Sequence, residues 1–155
     1  MFVGLNPSTA DEQTNDPTVT RCIRFARDWG YGGLVMTNIF AFRATYPKDL
    51  KMAAFPVGPE NDALLLQTGR DTGVVVAAWG NHGSYKNRDK IFLKLFQDSG
   101  IPLKCLATTK AGQPQHPLYL RADTTLKDFP SPAGPPPVRL MCKVSKEEPI
   151  PEPAQ

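Results

Sequence analysis

The chain has 155 residues, 41% hydrophobic and 21% charged, the composition of an ordinary globular domain long enough to bury a core. No apolar run reaches the ~20 residues of a transmembrane helix, and no basic segment leads into an apolar one as a secretory signal requires. The net charge of +3 is too small to argue for nucleic acid by itself. Cys22, Cys105 and Cys142 are scattered and give neither a disulfide framework nor a metal-ligand spacing, a pattern that suits a reducing cytoplasm.

The predicted elements alternate. Phe2–Leu5 reads as a short strand that stops at Asn6-Pro7-Ser8-Thr9. Asp16-Pro17 combines an N-cap acid with proline at the first helical position. The helix that follows runs towards Gly30, with Val19, Cys22, Ile23 and Ala26 at helical spacing. Leu34–Asn38 is a second strand. A long loop then holds one helical turn at Pro47–Ala53, and a helix runs from Pro59 to Arg70. Gly73–Gly80 is a third strand, apolar throughout as a strand covered on both faces must be. Asn87–Ser99 predicts an amphipathic helix with Ile91, Phe92, Leu95 and Phe96 on one side, and Pro102–Ala107 a fourth strand. Strand-helix alternation predicts an α/β domain over residues 1–129, three-layered α/β/α with a central, mostly parallel four-stranded sheet.

From Pro130 to Gln155 the character changes. This stretch holds 8 of the chain's 16 prolines and no apolar periodicity, which predicts a disordered tail. An island at Val138–Val144 is the one part suited to an edge strand or a binding motif.

In an open parallel sheet, ligands bind beyond the carboxyl ends of the strands. That rule collects Asn6, Pro7, Ser8 and Thr9 after strand one, Asn38 and Arg43 after strand two, and Trp79, Gly80, Asn81 and His82 after strand three. After strand four come Thr108, Thr109, Lys110 and then Gln115-His116-Pro117. Common cofactor sites are missing: there is no GxGxxG, no GxxxxGK[ST] and no GxSxG. Two histidines without a CxxC argue against zinc. Asp11, Glu12 and Asp16 are oxygen donors suited to a hard cation, but loop acids and a helix cap account for them as well. No cofactor or metal is expected.

Four stretches, each at the end of a predicted strand, carry a resemblance. "GLNPS" resembles the GINPG motif of the mismatch-specific members of the uracil-DNA glycosylase superfamily. "LVMTNIFAFRAT" resembles its strand ending in a base-reading asparagine, "VVVAAWGNHG" its apolar strand ending in Trp-Gly, and "HPLYL" its closing HPSPL motif. More narrowly, "NPSTAD", "DPT", "TNIFAFRAT", "PVGPEND" and "HPLYLR" resemble a bacterial and phage family defined only as domain of unknown function 1643.

The resemblance implies a uracil-DNA glycosylase-like fold and a set of roles. Asn6 corresponds to the residue that holds the attacking water, and His116 to the group that stabilises the departing base. Asn38 corresponds to the amide that reads the base, with Ser8 and Thr9 beside it. Leu120 corresponds to the side chain that wedges into the duplex. Arg43, Lys86, Arg88, Lys110 and Arg121 are placed to meet phosphates. Ser8 stands where the motif has its second glycine, and Leu118-Tyr119 replaces Ser-Pro. The expected partner is DNA or a nucleotide, with no membrane. Two other readings stay open: a non-catalytic module that keeps the pocket, and an interaction protein that works through its proline-rich tail.

Overall fold

A computed structural model describes residues 1–9 and 16–129. Asp11, Glu12, Cys142 and the proline-rich segment, including the island at Val138–Val144, lie outside the described residues. The chain is α/β, with four α-helices and a five-stranded, mostly parallel sheet among the described residues. In chain order the elements are β1 (Phe2–Gly4), α1 (Pro17–Asp28), β2 (Met36–Asn38), α2 (Pro47–Met52), α3 (Asn61–Asp71), β3 (Val75–Ala77), α4 (Arg88–Asp98), β4 (Leu103–Cys105) and β5 (Lys127–Asp128). Short 3-10 segments precede α4 (Asn81–Asn87) and follow β4 (Pro117–Tyr119). Among the described residues no helix is long and apolar enough to cross a membrane.

The strand order is β2-β1-β3-β4-β5. β1 pairs in parallel with β2 (Gly4 opposite Asn38) and with β3 (Val3 opposite Ala77). From β1 the chain moves outward to β2 and then crosses back to β3 on the other side. The reversal makes the space beyond the carboxyl ends of β1 and β3 a topological switch point, the usual place for a ligand crevice.

Alternate side chains feed two cores. Val75, Ala77 and Trp79 join Val3, Leu65, Phe92 and Phe96 in one cluster, against α3 and α4. Val76 and Ala78 join Phe2, Cys22, Phe25 and Leu106 in the other, against α1. The unbroken apolar run through β3 exists because both of its faces are covered.

The sheet has five strands where four were expected. Lys127–Asp128 runs antiparallel along β4. Its side chains are exposed, so no apolar alternation marks it; what seats it is the ion pair of Lys104 with Asp128 and the burial of the neighbouring Phe129. A short charged edge strand also discourages further pairing.

Two helix faces differ from expectation. In α1, Ile23 is exposed and Phe25 takes the inward position with Cys22 and Ala26. In α4, Ile91 is exposed, and the inward stripe is Arg88, Asp89, Phe92, Leu93 and Phe96. Two charged residues begin that stripe, so an apolar count misplaces it. Arg88, expected at a phosphate, is only 2% exposed and cannot reach one. Its Nε donates to the Ile39 carbonyl at 2.7 Å, and its Nη2 pairs with Asp62 at the start of α3.

Removing one partner of a buried ion pair typically costs about 3–5 kcal/mol. Arg88→Ala is therefore expected to lower unfolding stability by about 3–5 kcal/mol in urea titration. Asp62→Asn keeps an acceptor for the guanidinium but takes away the counter-charge of a cation that cannot hydrate, and is expected to cost about 1.5–3 kcal/mol.

Candidate functional site

The carboxyl ends of the strands are built from amides holding backbone carbonyls. Asn61 Nδ2 donates to the carbonyls of Asn38 at 3.0 Å and Ile39 at 3.2 Å, and Arg88 adds its bond to Ile39. The chain leaving β2 is thereby fixed in course. Three and five residues beyond Ile39, at Phe42 and Ala44, it meets Asn6. The Asn6 Nδ2 donates to the carbonyls of Ala44 at 2.7 Å, Pro7 at 3.1 Å and, at the limit, Phe42 at 3.4 Å. With the nitrogen so engaged, Asn6 Oδ1 accepts from no described residue. It is left as an acceptor at the end of β1. Nearby, the Thr9 hydroxyl is hydrogen-bonded to that of Thr45, and Ser8 is exposed.

Asn38 is half-buried, with its side chain lying over Gly4, its partner across the ladder. A Cβ at Gly4 would stand 2.7 Å from Asn38 Oδ1. Only glycine leaves the amide where it is.

His116 caps the 3-10 turn Pro117–Tyr119: its Nδ1 accepts from the Leu118 N–H at 3.3 Å. An accepting Nδ1 fixes the neutral tautomer, so the proton sits on Nε2 and can be donated outward. Burial lowers the pKa of His116, and the nearby Asp16 carboxylate opposes that shift. The turn packs against α1, and Leu120 joins the α1-side core. Asn38 points to the same side, because in β2 it alternates with Thr37 and shares phase with Met36 of that core. Asn38 and His116 therefore belong to one face of one sheet edge. β2 and β4 are three strand spacings apart, about 14 Å, with Asn6 between them.

Other expected residues are placed differently. Leu120 does not project: it is half-buried, and its carbonyl accepts from Arg21. Leu118 and Tyr119 are the exposed members of that motif. Arg121 is exposed but bonded to Asp123, whose carboxyl it holds below the usual range. Lys110 is exposed at the tip of the turn Thr109–Gly112, and Arg43 is exposed beside the loop Asn6 holds. His82 is exposed.

A second polar chain, unforeseen in part, lies at the ends of β3 and β4. Trp79 is buried in the core; its Nε1 donates to Gln113 Oε1 at 2.9 Å, and Gln113 Nε2 donates to Asp89 Oδ2 at 2.6 Å. Above them Thr109 Oγ1 donates to Asn81 Oδ1 at 2.6 Å. Gly83 packs on the indole so closely that a Cβ there would be 2.0 Å from Trp79 Cδ1. Gln113 and Asp89 had no sequence signal: one is a lone turn residue, the other reads as a first-turn helix acid.

Neither described thiol is a nucleophile. Burial, with a contribution from Asp16, pushes Cys22 up to about 12, and burial raises Cys105. Among the described residues no three His, Cys, Asp or Glu side chains gather as a metal site needs. A cavity of about 360 Å³, lined by Met1, Phe2, Trp29, Val35 and Val74, lies at the opposite, amino ends of the strands and is mainly apolar. It lacks the amide and imidazole side chains that the carboxyl ends carry, and those ends are taken as the candidate site on chemical grounds.

Residues 1–118 match the family described as "Protein of unknown function (DUF1643)". The chain belongs to the DUF1643 family. The match runs from β1 through His116 and so spans every candidate site residue considered above except Tyr119, Leu120 and Arg121. No curated protein and no solved structure matches the chain.

The lowered His116 pKa fixes a pH dependence. An imidazole whose pKa is lower folded than unfolded loses stability as pH falls from about 6.5 through its folded value, and contributes a constant amount above that window. NMR titration of His116 should give a midpoint below 6.5. Asp16→Asn, which retains the cap to Thr18 N–H, should lower the midpoint further.

Proposed function

We propose that this DUF1643 chain is a nucleobase-acting enzyme of the uracil-DNA glycosylase type, with a three-layer α/β/α domain that cleaves or modifies an extruded base, ordinary or modified, in DNA. The observation that carries the reading is the clamp on Asn6. Its amide nitrogen is tied to three backbone carbonyls, while its oxygen accepts from no described residue and can orient a water.

In the reaction, water attacks C1′ of the sugar while the N-glycosidic bond breaks and its electron pair leaves with the base. The water's proton passes to solvent, since an amide is a poor base. That is tolerable where departure runs ahead of attack. His116 Nε2–H donates to the developing base anion, and loss of one such donor typically costs about 10²–10³-fold in rate. Asn38 offers donor and acceptor side by side to the base edge. Leu118 or Tyr119, exposed beside His116, replaces Leu120 as the wedge that favours extrusion. Arg43, Lys110 and Arg121 remain the cations for the backbone, Arg121 at the expense of its bond to Asp123.

A second reading has its own support. The Asn6 clamp also serves the loop, and no described carboxylate hydrogen-bonds Asn6. A non-catalytic module that binds DNA or a nucleotide would keep the same construction.

Incubation with oligonucleotides bearing uracil, hydroxymethylated bases or mismatches, followed by alkali, separates the two. Strand breaks that fall by about 10²–10³-fold in His116→Ala support the enzyme. Gly4→Ala is the sharper variant: it leaves every proposed functional group present but displaces the Asn38 amide, and is expected to cut excision at least about tenfold. Binding that survives Asn6→Ala and His116→Ala with no breaks across the panel selects the module.

A further inference from the structure

The segment 42–55 exposes side chains that a folded domain normally hides. Met52 is 84% and Phe55 88% exposed, and Phe42 (41%) and Tyr46 (60%) are open too. α2 within it buries only Leu50. Backbone bonds from Ala41 N–H to the Val57 carbonyl at 3.1 Å, and from Phe42 N–H to the Pro56 carbonyl at 3.0 Å, set the two ends of the segment side by side. Phe42 and Phe55 therefore lie at one edge. Scattered apolar residues are normal on a surface, but several aromatic ones on one short segment mark an interaction site.

Cations are interleaved with these rings. Arg43, Lys48 and Lys51 face a single acid in the segment, Asp49. Lys48 Nζ lies 5.5 Å from the Tyr46 ring centre. The Tyr85 ring has Lys51 Nζ at 5.8 Å and Lys86 Nζ at 5.7 Å, and its hydroxyl donates to the Lys51 carbonyl at 3.0 Å. Lys86 is held there in a left-handed conformation, φ 54°, which a side chain other than glycine seldom adopts. The patch also touches the strand-end site, because Asn6 holds the carbonyls of Phe42 and Ala44.

We infer that this surface binds an unpaired strand of nucleic acid, with bases stacked on Phe42, Tyr46 and Phe55 and phosphates met by Arg43, Lys48, Lys51 and Lys86. Rings alternating with ammonium and guanidinium groups are what a splayed strand requires, since every base offers a π face and every step a charge. A duplex keeps its bases stacked and has no use for the rings. The choice of nucleic acid among polyanions rests on the reading above; the surface itself does not depend on catalysis.

Fluorescence anisotropy of the full chain, with a labelled oligothymidylate of about 12 nucleotides and with its duplex, tests the inference. The single strand should bind more tightly. Phe55→Ala should weaken it about tenfold with an unchanged circular dichroism spectrum, since the side chain is exposed. Replacing Lys48 and Lys51 together by alanine should reduce the slope of log affinity against log salt by about 1.4. Equal duplex binding, or affinity indifferent to Phe55→Ala, overturns the inference. So does Phe55-dependent binding to phosphatidylserine–phosphatidylcholine vesicles without oligonucleotide binding, which would make the patch a membrane surface. Phe55-dependent strand binding without base excision removes the enzymatic reading and leaves this one. Excision from a single-stranded substrate that is unaffected by Phe55→Ala does the reverse.

Discussion

The carboxyl edge of this sheet depends on one buried cation. Arg88 sits at the first position of α4 with its guanidinium inside the protein, where it joins the Ile39 carbonyl after β2 to Asp62 in the first turn of α3. A buried charge is tolerable only when paired and hydrogen-bonded, so these three elements have little freedom to move independently. Asn61 reinforces the same point by bonding the carbonyls of Asn38 and Ile39. The loop that leaves β2 starts from this anchor and ends on Asn6.

That sequence of anchors explains how a loop-built site can be rigid. Asn61 and Asn6 hold backbone carbonyls through their amide nitrogens, and Arg88 does so through its guanidinium. Asn6 Oδ1 accepts from no described residue, Asn38 lies over the bare backbone of Gly4, and His116 caps a turn through Nδ1. Polar groups used in this way do two jobs. They satisfy carbonyls that would otherwise be buried unpaired, and they orient the atoms that would meet a substrate. The Trp79–Gln113–Asp89 chain ties the end of β3 to the start of α4 through side chains alone. Beside this rigid edge the segment 42–55 supplies an open, cationic and aromatic surface, so pocket and strand-binding surface would share the loop that Asn6 holds.

Much of the fold was legible. β1, β3 and β4 showed as short apolar runs bounded by turn residues. α1 was marked by Asp16-Pro17, and the cap to Thr18 is present. The parallel sheet followed from the alternation. β5 was not legible, because two exposed charged residues carry no periodicity and their pairing depends on Phe129 finding the core. The inward stripe of α4 was misjudged for a related reason: Arg88 and Asp89 are polar by composition and interior by partnership, and composition reveals nothing of partners. Leu120 was read by motif position as projecting, yet the packing of the Pro117–Tyr119 turn on α1 directs it inward and leaves Leu118 and Tyr119 outside.

By itself, then, the sequence determined which residues end the strands, since an apolar run must stop where its polar neighbours meet water, and it marked Asn6 and Asn38 at such ends and His116 in the loop beyond β4. It also carried the family motifs. The tertiary structure alone decided which atoms of those residues are free. A hydrogen bond to a carbonyl dozens of residues away, as from Asn6 to Ala44 or Arg88 to Ile39, has no local signature, because donor and acceptor meet only after the sheet has formed. Exposure of Phe55 and burial of Arg88 were settled the same way: hydrophobicity sets a preference, but the available partners fix the outcome.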